Sequence, residues 1–203
     1  MFNNLYRHIG KRIFDIVLSL ILLSLTFPVL LVCSILVRLT MGSPVFFIQK
    51  RPGRNEKIFS LIKLRTMQNL KDEEGSLLPD KDRLTKLGRF LRSTSIDELP
   101  ELWNVVIGEM SLVGPRPLLT QYLPRYSEKQ SRRHEVLPGL TGLAQINGRN
   151  NLDWDKKFEF DVHYVDNVSF FLDIKIICVT IFRILLRKNI SKPGHSTTPE
   201  FLG

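Results

Sequence analysis

Two adjacent carboxylates, Asp97 and Glu98, carry the strongest chemical signal in the sequence. They stand in the segment RSTSIDELPELWNVV. Ser95 is followed three residues later by Glu98, which fits a capping box and predicts that both carboxylates lie in the first turn of a helix. In a purely structural interpretation, Glu98 caps this helix and Asp97 complements its dipole.

The same placement also has a functional interpretation. The N–H groups at the start of a helix attract anions, so a phosphate can approach carboxylates that would otherwise repel it. One carboxylate could then attack phosphorus while its neighbour holds a magnesium ion. In this interpretation the pair would carry out phosphoryl chemistry, with Mg²⁺ as the cofactor, whereas the structural interpretation needs neither.

Three arginines are candidates for holding the phosphates. Arg116 lies in Gly-Pro-Arg-Pro, where two prolines stiffen the backbone and present a planar guanidinium in a fixed place, although an exposed turn would look the same. Arg92 comes just before the carboxylate pair. Arg149 lies near the end of the segment 138–150, PGLTGLAQINGRN, which could wrap a nucleotide or sugar or could be a plain surface loop.

The composition narrows the classes of partner. The chain has 203 residues and a formal charge of +9, which predicts an anionic partner: nucleic acid, an acidic bilayer surface or phosphorylated small molecules. The sequence has no phosphate-binding loop of the glycine-lysine type, no dinucleotide fingerprint and no paired histidines at metal spacing. It also lacks a recognisable nucleic-acid module, so we expect no nucleic-acid partner.

Residues 13–37 are almost wholly apolar, and a bilayer core needs roughly 20 such residues in a helix. A plain transmembrane anchor is the simplest interpretation. However, Pro28 interrupts the run, and basic residues flank it on both sides, including Lys11 and Arg38. A spanning helix would place one basic cluster outside, against the positive-inside tendency. The pattern favours a re-entrant hairpin that breaks at Pro28 and keeps both ends on the cytoplasmic face.

The rest of the chain predicts a small α+β domain. Residues 45–49 and 58–64 have strand character and are joined by a turn. Residues 84–91 have apolar positions at helical spacing, as in a helix on the bilayer surface. The apolar stretch 170–188 is interrupted by charges such as Asp173, so it predicts an interfacial or core helix rather than a second span.

The predicted fold class is α+β, with an N-terminal re-entrant membrane helix hairpin over residues 1–40. A small cytoplasmic catalytic domain with interfacial amphipathic helices and a short β-hairpin follows over residues 41–190. Residues 191–203 are expected to form a loosely held tail.

Taken together, the proline-broken apolar segment, KLRTM, SIDELPELWNVVIGEMSLVGPRP and PGLTGLAQINGRN resemble the bacterial sugar transferases. These are monotopic polyprenyl-phosphate phosphoglycosyl transferases of the bacterial inner membrane. The resemblance covers the chain from about Lys11 to the tail. In length, and in the closing stretch KPGHSTTPEF, the chain is most similar to the small PglC-type enzymes that handle diacetylbacillosamine.

The resemblance implies specific roles. Asp97 matches the nucleophile that attacks the β-phosphate of a UDP-sugar, releases UMP and forms a covalent phosphosugar intermediate. Glu98 matches the magnesium ligand, and Arg116 matches the arginine on the phosphates. The acceptor would be undecaprenyl phosphate at the cytoplasmic face of the membrane. Pro28 matches the helix-breaking proline, but Phe27 stands where small members often have serine.

Other interpretations remain open at this stage. The donor could carry N-acetylgalactosamine, N-acetylglucosamine, galactose or glucose, since sugar choice depends on a few pocket contacts. A non-catalytic basic membrane scaffold is the alternative from another class. The oligomeric state and the roles of Asp161 and Asp173 are not predicted.

Overall fold

A computed structural model describes residues 5–148, 152–186 and 200–203. The α-helices are Lys11–Met41 (α1), Asp80–Arg83 (α2), Lys86–Thr94 (α3), Glu101–Ile107 (α4), Glu128–Ser131 (α5), Leu143–Ile146 (α6), Trp154–Asp166 (α7) and Phe170–Leu185 (α8). The strands are Phe46–Pro52 (β1), Ile58–Leu64 (β2), Ser111–Val113 (β3) and Gly139–Thr141 (β4). This mixture of helices and short strands confirms the α+β class.

The apolar N-terminal run forms one long helix, α1, which continues a π-helical turn at Tyr6–Gly10. Among the residues that the structure describes, Tyr6–Met41 is the one helical stretch long and apolar enough to cross a membrane. Most of its apolar side chains, such as Leu25 and Leu39, are exposed. An apolar surface of this extent is costly in water, which indicates association with a membrane.

The hairpin expected at Pro28 is not observed, because α1 runs through this residue as a single helix. A proline removes only one backbone hydrogen bond, and the turns on either side keep theirs. Ser24 and Thr26 also donate their hydroxyls to the carbonyls of Leu20 and Leu22, a pattern that bends helices without ending them.

Both ends of α1 pack on the globular domain. The first half, including Leu18, lies against the main core with Leu102 and Val105. In the second half, Cys33 and Val37 form a smaller core with Leu64 and Leu91 of the domain. Residues 24–29, between the two contacts, are mostly exposed. The helix is therefore held at both ends, and its middle has little contact with protein.

The two long strands form an antiparallel hairpin with Phe47 opposite Lys63 and Arg51 opposite Phe59. β2 has the predicted bounds, whereas β1 begins one residue later than predicted and extends to Pro52. Asn104 of α4 is hydrogen-bonded to the edge of β2, accepting from Ile62 N at 3.2 Å and donating to Ser60 O at 2.8 Å. These bonds fix the helix that follows the carboxylate pair against the hairpin.

The capping box predicted at Ser95 is wrong. Ser95 has a φ of 57° and closes α3, with its N–H directed at the carbonyls of Leu91 and Arg92. A 3₁₀ turn follows, and α4 begins only after Pro100. Ser95 instead ends the preceding helix, α3, and it takes the left-handed conformation to do so. Trp103 of α4 is exposed.

The apolar C-terminal stretch forms α8, which packs on the core through Ile176 and leaves Phe171 and Phe182 exposed. It is thus a helix that packs on the core, which is one of the two kinds predicted for this stretch. The structure describes residues 200–203 of the expected C-terminal tail. Phe201 is buried in an aromatic cluster with Tyr122, Trp154 and Phe158, while residues 191–199 lie outside the described part of the chain.

Candidate active site

Asp97 lies in the 3₁₀ turn Ile96–Glu98, and only 7% of its surface is exposed. Burial raises the pKa of its carboxyl group to about 6, and the charge of Glu98 adds to the rise. The cations of Lys63, Arg92 and Arg116 act in the opposite direction. The carboxylate is therefore still ionised near neutral pH, and it is poorly hydrated and surrounded by positive charge.

Lys63 is a site residue that the sequence analysis missed. Its Nζ lies 2.8 Å from Glu98 Oε1 and 3.0 Å from Glu101 Oε1. The available signal was the strand period. Lys63 shares a face of β2 with the buried Leu61 and Phe59, so it places a charge on the inward side of the strand.

Glu101 is a second missed residue, and only 1% of it is exposed. Burial raises the pKa of its carboxyl group to about 7, while the Lys63 ammonium partly offsets this effect. The capping-box interpretation directed attention to Glu98 alone. In the structure, Lys63 instead joins two glutamates: Glu98, which precedes α4, and Glu101, which is its first residue.

Arg116 reaches the same carboxylate from the other side. Its Nη2 donates to Glu98 Oε1, and the charge of Glu98 raises the pKa of the guanidinium, so Arg116 remains protonated. About a third of the Arg116 side chain is exposed, compared with 13% of the Glu98 side chain. The cation is therefore accessible to a ligand even though it is paired.

The backbone around Arg116 is held at successive residues. Gly114 N donates to Thr141 O at 2.9 Å, and Pro115 O accepts from Gly139 N at 2.9 Å. A Cβ on Gly139 would lie 2.0 Å from Gly114 N, so a side chain would separate the two segments. The start of the segment 138–150, predicted as a nucleotide wrap or a surface loop, packs against the Gly-Pro-Arg-Pro turn instead.

A buried ion pair completes this support. Arg133 Nε and Nη2 lie 3.0 and 2.8 Å from Asp161 Oδ2, and Nη2 also donates to the carbonyl of Arg116 at 2.7 Å. The two side chains are 2% and 4% exposed. Asp161 is therefore a partner of Arg133, through which it supports the turn that carries Arg116.

Two more arginines lie beside the carboxylates. Arg92 Nε donates to Thr66 Oγ1 at 3.0 Å, and its charge lowers the pKa of Asp97. Arg51 of β1, missed by the sequence analysis, donates to Pro117 O at 3.4 Å, and burial followed by the charge of Arg116 lowers its pKa to about 10. Two neighbouring guanidinium groups repel each other, and an anion bound between them would relieve the repulsion. Arg149 lies outside the described residues.

The residues that surround Asp97 are compatible with magnesium. The described part of the chain has no group of three histidines, cysteines or acidic residues that could by itself hold a metal ion. In phosphoryl-transfer sites Mg²⁺ needs fewer protein ligands, because one or two carboxylates bind it together with substrate phosphates and water. Glu98 would therefore suffice as the protein ligand of a Mg²⁺ ion that enters the site bound to a diphosphate.

Comparison with known proteins agrees with this geometry. The family model "Bacterial sugar transferase" matches residues 6–187. The uncharacterized sugar transferase EpsL of Bacillus subtilis is 56% identical over 193 residues, which are 95% of this chain and 96% of that protein. The UDP-glucose:undecaprenyl-phosphate glucose-1-phosphate transferase of Klebsiella pneumoniae is 41% identical over 88% of this chain.

The undecaprenyl-phosphate galactose phosphotransferase of Salmonella typhimurium is 37% identical over 88% of this chain. The chain spans nearly all of EpsL, but the Klebsiella and Salmonella alignments cover only 41% of those proteins. The family match covers most of the chain and includes both the carboxylate pair and the Gly-Pro-Arg-Pro turn. The chain therefore belongs to the bacterial sugar transferase family.

Proposed function

We propose that the chain transfers a sugar 1-phosphate from a UDP-sugar to undecaprenyl phosphate and releases UMP. The observation that supports this most directly is the buried Asp97 carboxylate, which lies among the charges of Lys63, Arg92 and Arg116. The exposed apolar helix α1 provides the membrane association that a lipid acceptor requires. The printed names of the Klebsiella and Salmonella relatives include undecaprenyl phosphate as the acceptor.

In the proposed first step, an Asp97 carboxylate oxygen attacks the β-phosphorus of the donor. The bond from this phosphorus to the oxygen that bridges the two phosphates breaks, and UMP leaves with the electron pair. In the second step, a phosphate oxygen of undecaprenyl phosphate attacks the same phosphorus. The bond to Asp97 then breaks, which restores the carboxylate and gives the lipid diphosphate sugar.

The cations have a simple role in this scheme. The donor diphosphate competes with Glu98 for Lys63 and Arg116, and Arg51 adds a third positive charge nearby. These preorganised charges stabilise the negative charge that develops on the leaving phosphate. A bound Mg²⁺ would neutralise the diphosphate further, with Glu98 as its protein ligand.

The donor sugar is the finer part of the proposal. The length of the chain and its closing stretch favour an N-acetylated amino sugar such as diacetylbacillosamine. The Klebsiella and Salmonella relatives carry glucose and galactose in their names, so both hexoses belong with the N-acetylated sugars in any donor panel. The contacts that choose among them are worth on the order of 1–3 kcal/mol.

The proposed location is the cytoplasmic face of the bacterial inner membrane, with α1 inserted into that face of the bilayer and both of its ends on the cytoplasmic side. The contact of both ends of α1 with one globular domain supports this arrangement. We expect a cysteine placed at residue 5 to be protected from an impermeant maleimide in intact cells. Labelling of that cysteine from outside would show that α1 spans the membrane.

The decisive experiment measures nucleotide release by detergent-solubilised protein supplied with undecaprenyl phosphate, Mg²⁺ and a panel of UDP-sugars. We expect UMP from one donor and none from Asp97→Asn. The matched control is Asp166→Asn, because the Asp166 side chain is about half exposed and pairs with Arg132 on the surface. Release of UDP would show ordinary glycosyl transfer and overturn the proposal. Turnover by Asp97→Asn equal to that of the control would also overturn it.

A further inference from the structure

An exposed aromatic ring lies directly beside the proposed active site. Phe47 of β1 is 45% exposed and is paired across the hairpin with Lys63. Directly paired residues project from the same face of a sheet, with Cβ atoms about 5 Å apart. The ring of Phe47 therefore shares a face with the lysine whose ammonium group binds Glu98 and Glu101.

This face of β1 changes character along the strand. Phe47, Gln49 and Arg51 occupy alternate positions, and Gln49 Oε1 accepts from Arg51 Nη2 at 2.6 Å. Arg51 lies beside the turn that carries Arg116. Four residues of strand span about 13 Å, so the face passes from a cationic end to an aromatic end within that distance.

The aromatic end is also the end nearest the membrane helix. Arg65, just after β2, donates to the carbonyls of Met41, Gly42 and Ser43 and so fixes the end of α1 next to the open end of the hairpin. Leu64 packs with Val37 of α1 on the opposite face of this end of the hairpin, and Phe47 stays exposed on its own face. A hydrocarbon chain that follows α1 out of the bilayer would meet Phe47 before it reached the cations.

We propose that Phe47 binds the isoprenoid segment next to the phosphate of the lipid acceptor, while Lys63, Arg51 and Arg116 bind the phosphate itself. This inference rests on the proposed function, because it assumes a lipid phosphate as the acceptor. A molecule with an anionic head and an apolar tail complements both ends of this face. Phe47 is thus an acceptor-binding residue, in contrast to a side chain that only touches the bilayer.

Ile48 provides the matched control, since it follows Phe47 in the sequence and is 63% exposed, more than Phe47. Because side chains alternate along a strand, Ile48 projects from the opposite face. If the hairpin merely contacted lipid, Ile48→Ser would be as harmful as Phe47→Ser. If Phe47 binds the acceptor, only the Phe47 substitution affects the acceptor.

The test measures the KM for undecaprenyl phosphate in mixed micelles, together with exchange of labelled UMP into the UDP-sugar without acceptor. For Phe47→Ser we expect kcat/KM for the acceptor to fall on the order of tenfold, as for the loss of about half a phenyl ring of apolar contact. UMP exchange should stay within about twofold of wild type. Phe47→Leu should recover most of the acceptor affinity, and Ile48→Ser should retain all of it.

Two results would overturn the inference. One is an equal effect, or no effect, of Phe47→Ser and Ile48→Ser on the acceptor KM. The other is a loss of UMP exchange in Phe47→Ser as large as its loss of transfer, because exchange does not involve the acceptor. The wild-type exchange reaction tests the proposed function separately: if the wild-type protein failed to exchange UMP, the proposed function would fall, and this inference would fall with it.

Discussion

Two networks of buried charge in this molecule differ in how their carboxylates are satisfied. The anchor network comprises Asp173 and its three partners, Tyr6, Lys11 and Tyr164. Tyr6 Oη and Lys11 Nζ each lie 2.7 Å from Asp173 Oδ2, and Tyr164 Oη lies 2.8 Å from Oδ1. One carboxylate thus receives three donors, and Asp173 is completely buried. Such a network stabilises a structure, because neither carboxylate oxygen lacks a donor.

In the site cluster the carboxylates are less fully compensated. It comprises Lys63, Asp97, Glu98, Glu101 and Arg116, in which Lys63 pairs with both glutamates and Arg116 pairs with Glu98. Burial raises the pKa of Asp97 to about 6 and that of Glu101 to about 7, which shows that their charged forms are poorly compensated. The comparison teaches that buried charge alone does not mark an active site. A better sign of an active site is a buried carboxylate whose charge is only partly compensated by the protein, because a substrate or metal ion can supply the rest.

The largest predicted effect separates activity from stability at the site cluster. Asp97→Asn should lower UMP release by at least about 10³-fold, because an amide cannot serve as the nucleophile. The free energy of unfolding should not fall, since the substitution removes a charge that burial disfavours. Urea denaturation of the two proteins in the same detergent measures the second quantity. A marked loss of stability would place Asp97 with the anchor residues.

The reverse result is expected for the anchor network. Asp173→Ala should lower the free energy of unfolding by about 3 kcal/mol, because Lys11 loses the shorter of its two carboxylate contacts and both tyrosines lose an acceptor. Variant protein that remains folded at low temperature should keep most of its UMP exchange. Denaturant midpoints and exchange rates measured side by side would reveal a catalytic role if exchange fell more than folding.

His134 provides a third case for the comparison, because it is a buried titratable group that belongs to neither network. Burial, aided by the charge of Arg133, lowers its pKa from 6.5 to about 4, and Glu56 lies 3.9 Å away. Since the unfolded chain binds the proton more readily, stability is lost as the pH falls below 6.5. The loss between pH 7.5 and pH 5 should be about 2 kcal/mol greater in the wild type than in His134→Phe. Identical pH profiles would contradict this prediction.

The smallest predicted effect concerns the support of Arg116. Arg133→Lys keeps the charge near Asp161 but lacks the second nitrogen that also reaches the carbonyl of Arg116. We expect kcat/KM for the UDP-sugar to fall about tenfold, because Arg116 is then less precisely placed for the phosphates. Arg132→Lys is the neighbouring control, since Arg132 forms its ion pairs on the surface. Equal behaviour of the two variants would remove any role of Arg133 in positioning Arg116.

Parts of the fold and site could be predicted because they depend on local patterns. The alternation of side chains gave β2 its correct bounds, and the long apolar run predicted α1. Asp97, Glu98 and Arg116 stood out as short motifs, and Glu98 and Arg116 do pair in the structure. Lys63 begins the KLRTM segment, but neither it nor Arg51 could be placed in the site without the register of the hairpin.

The failures have physical causes of the same kind. Ser95 satisfies the capping-box pattern, but the chain needed a residue with positive φ to end α3 at that position. Pro28 should break an isolated helix, yet both ends of α1 are held by the domain, so the helix persists through it. In both cases the local pattern was real, and a longer-range contact outweighed it.

The polar start of α1 has a further consequence for how the protein can be handled. Arg12 donates to the carbonyls of Val105 and Val106, and Asp15 accepts from the backbone N–H of Leu112. Removal of residues 1–41 would take the Arg12 donors from these carbonyls and the Asp15 acceptor from that N–H, and it would take two donors from Asp173. The helix is thus a structural element of the enzyme as well as its lipid anchor, and a water-soluble catalytic fragment cannot be obtained simply by deleting it.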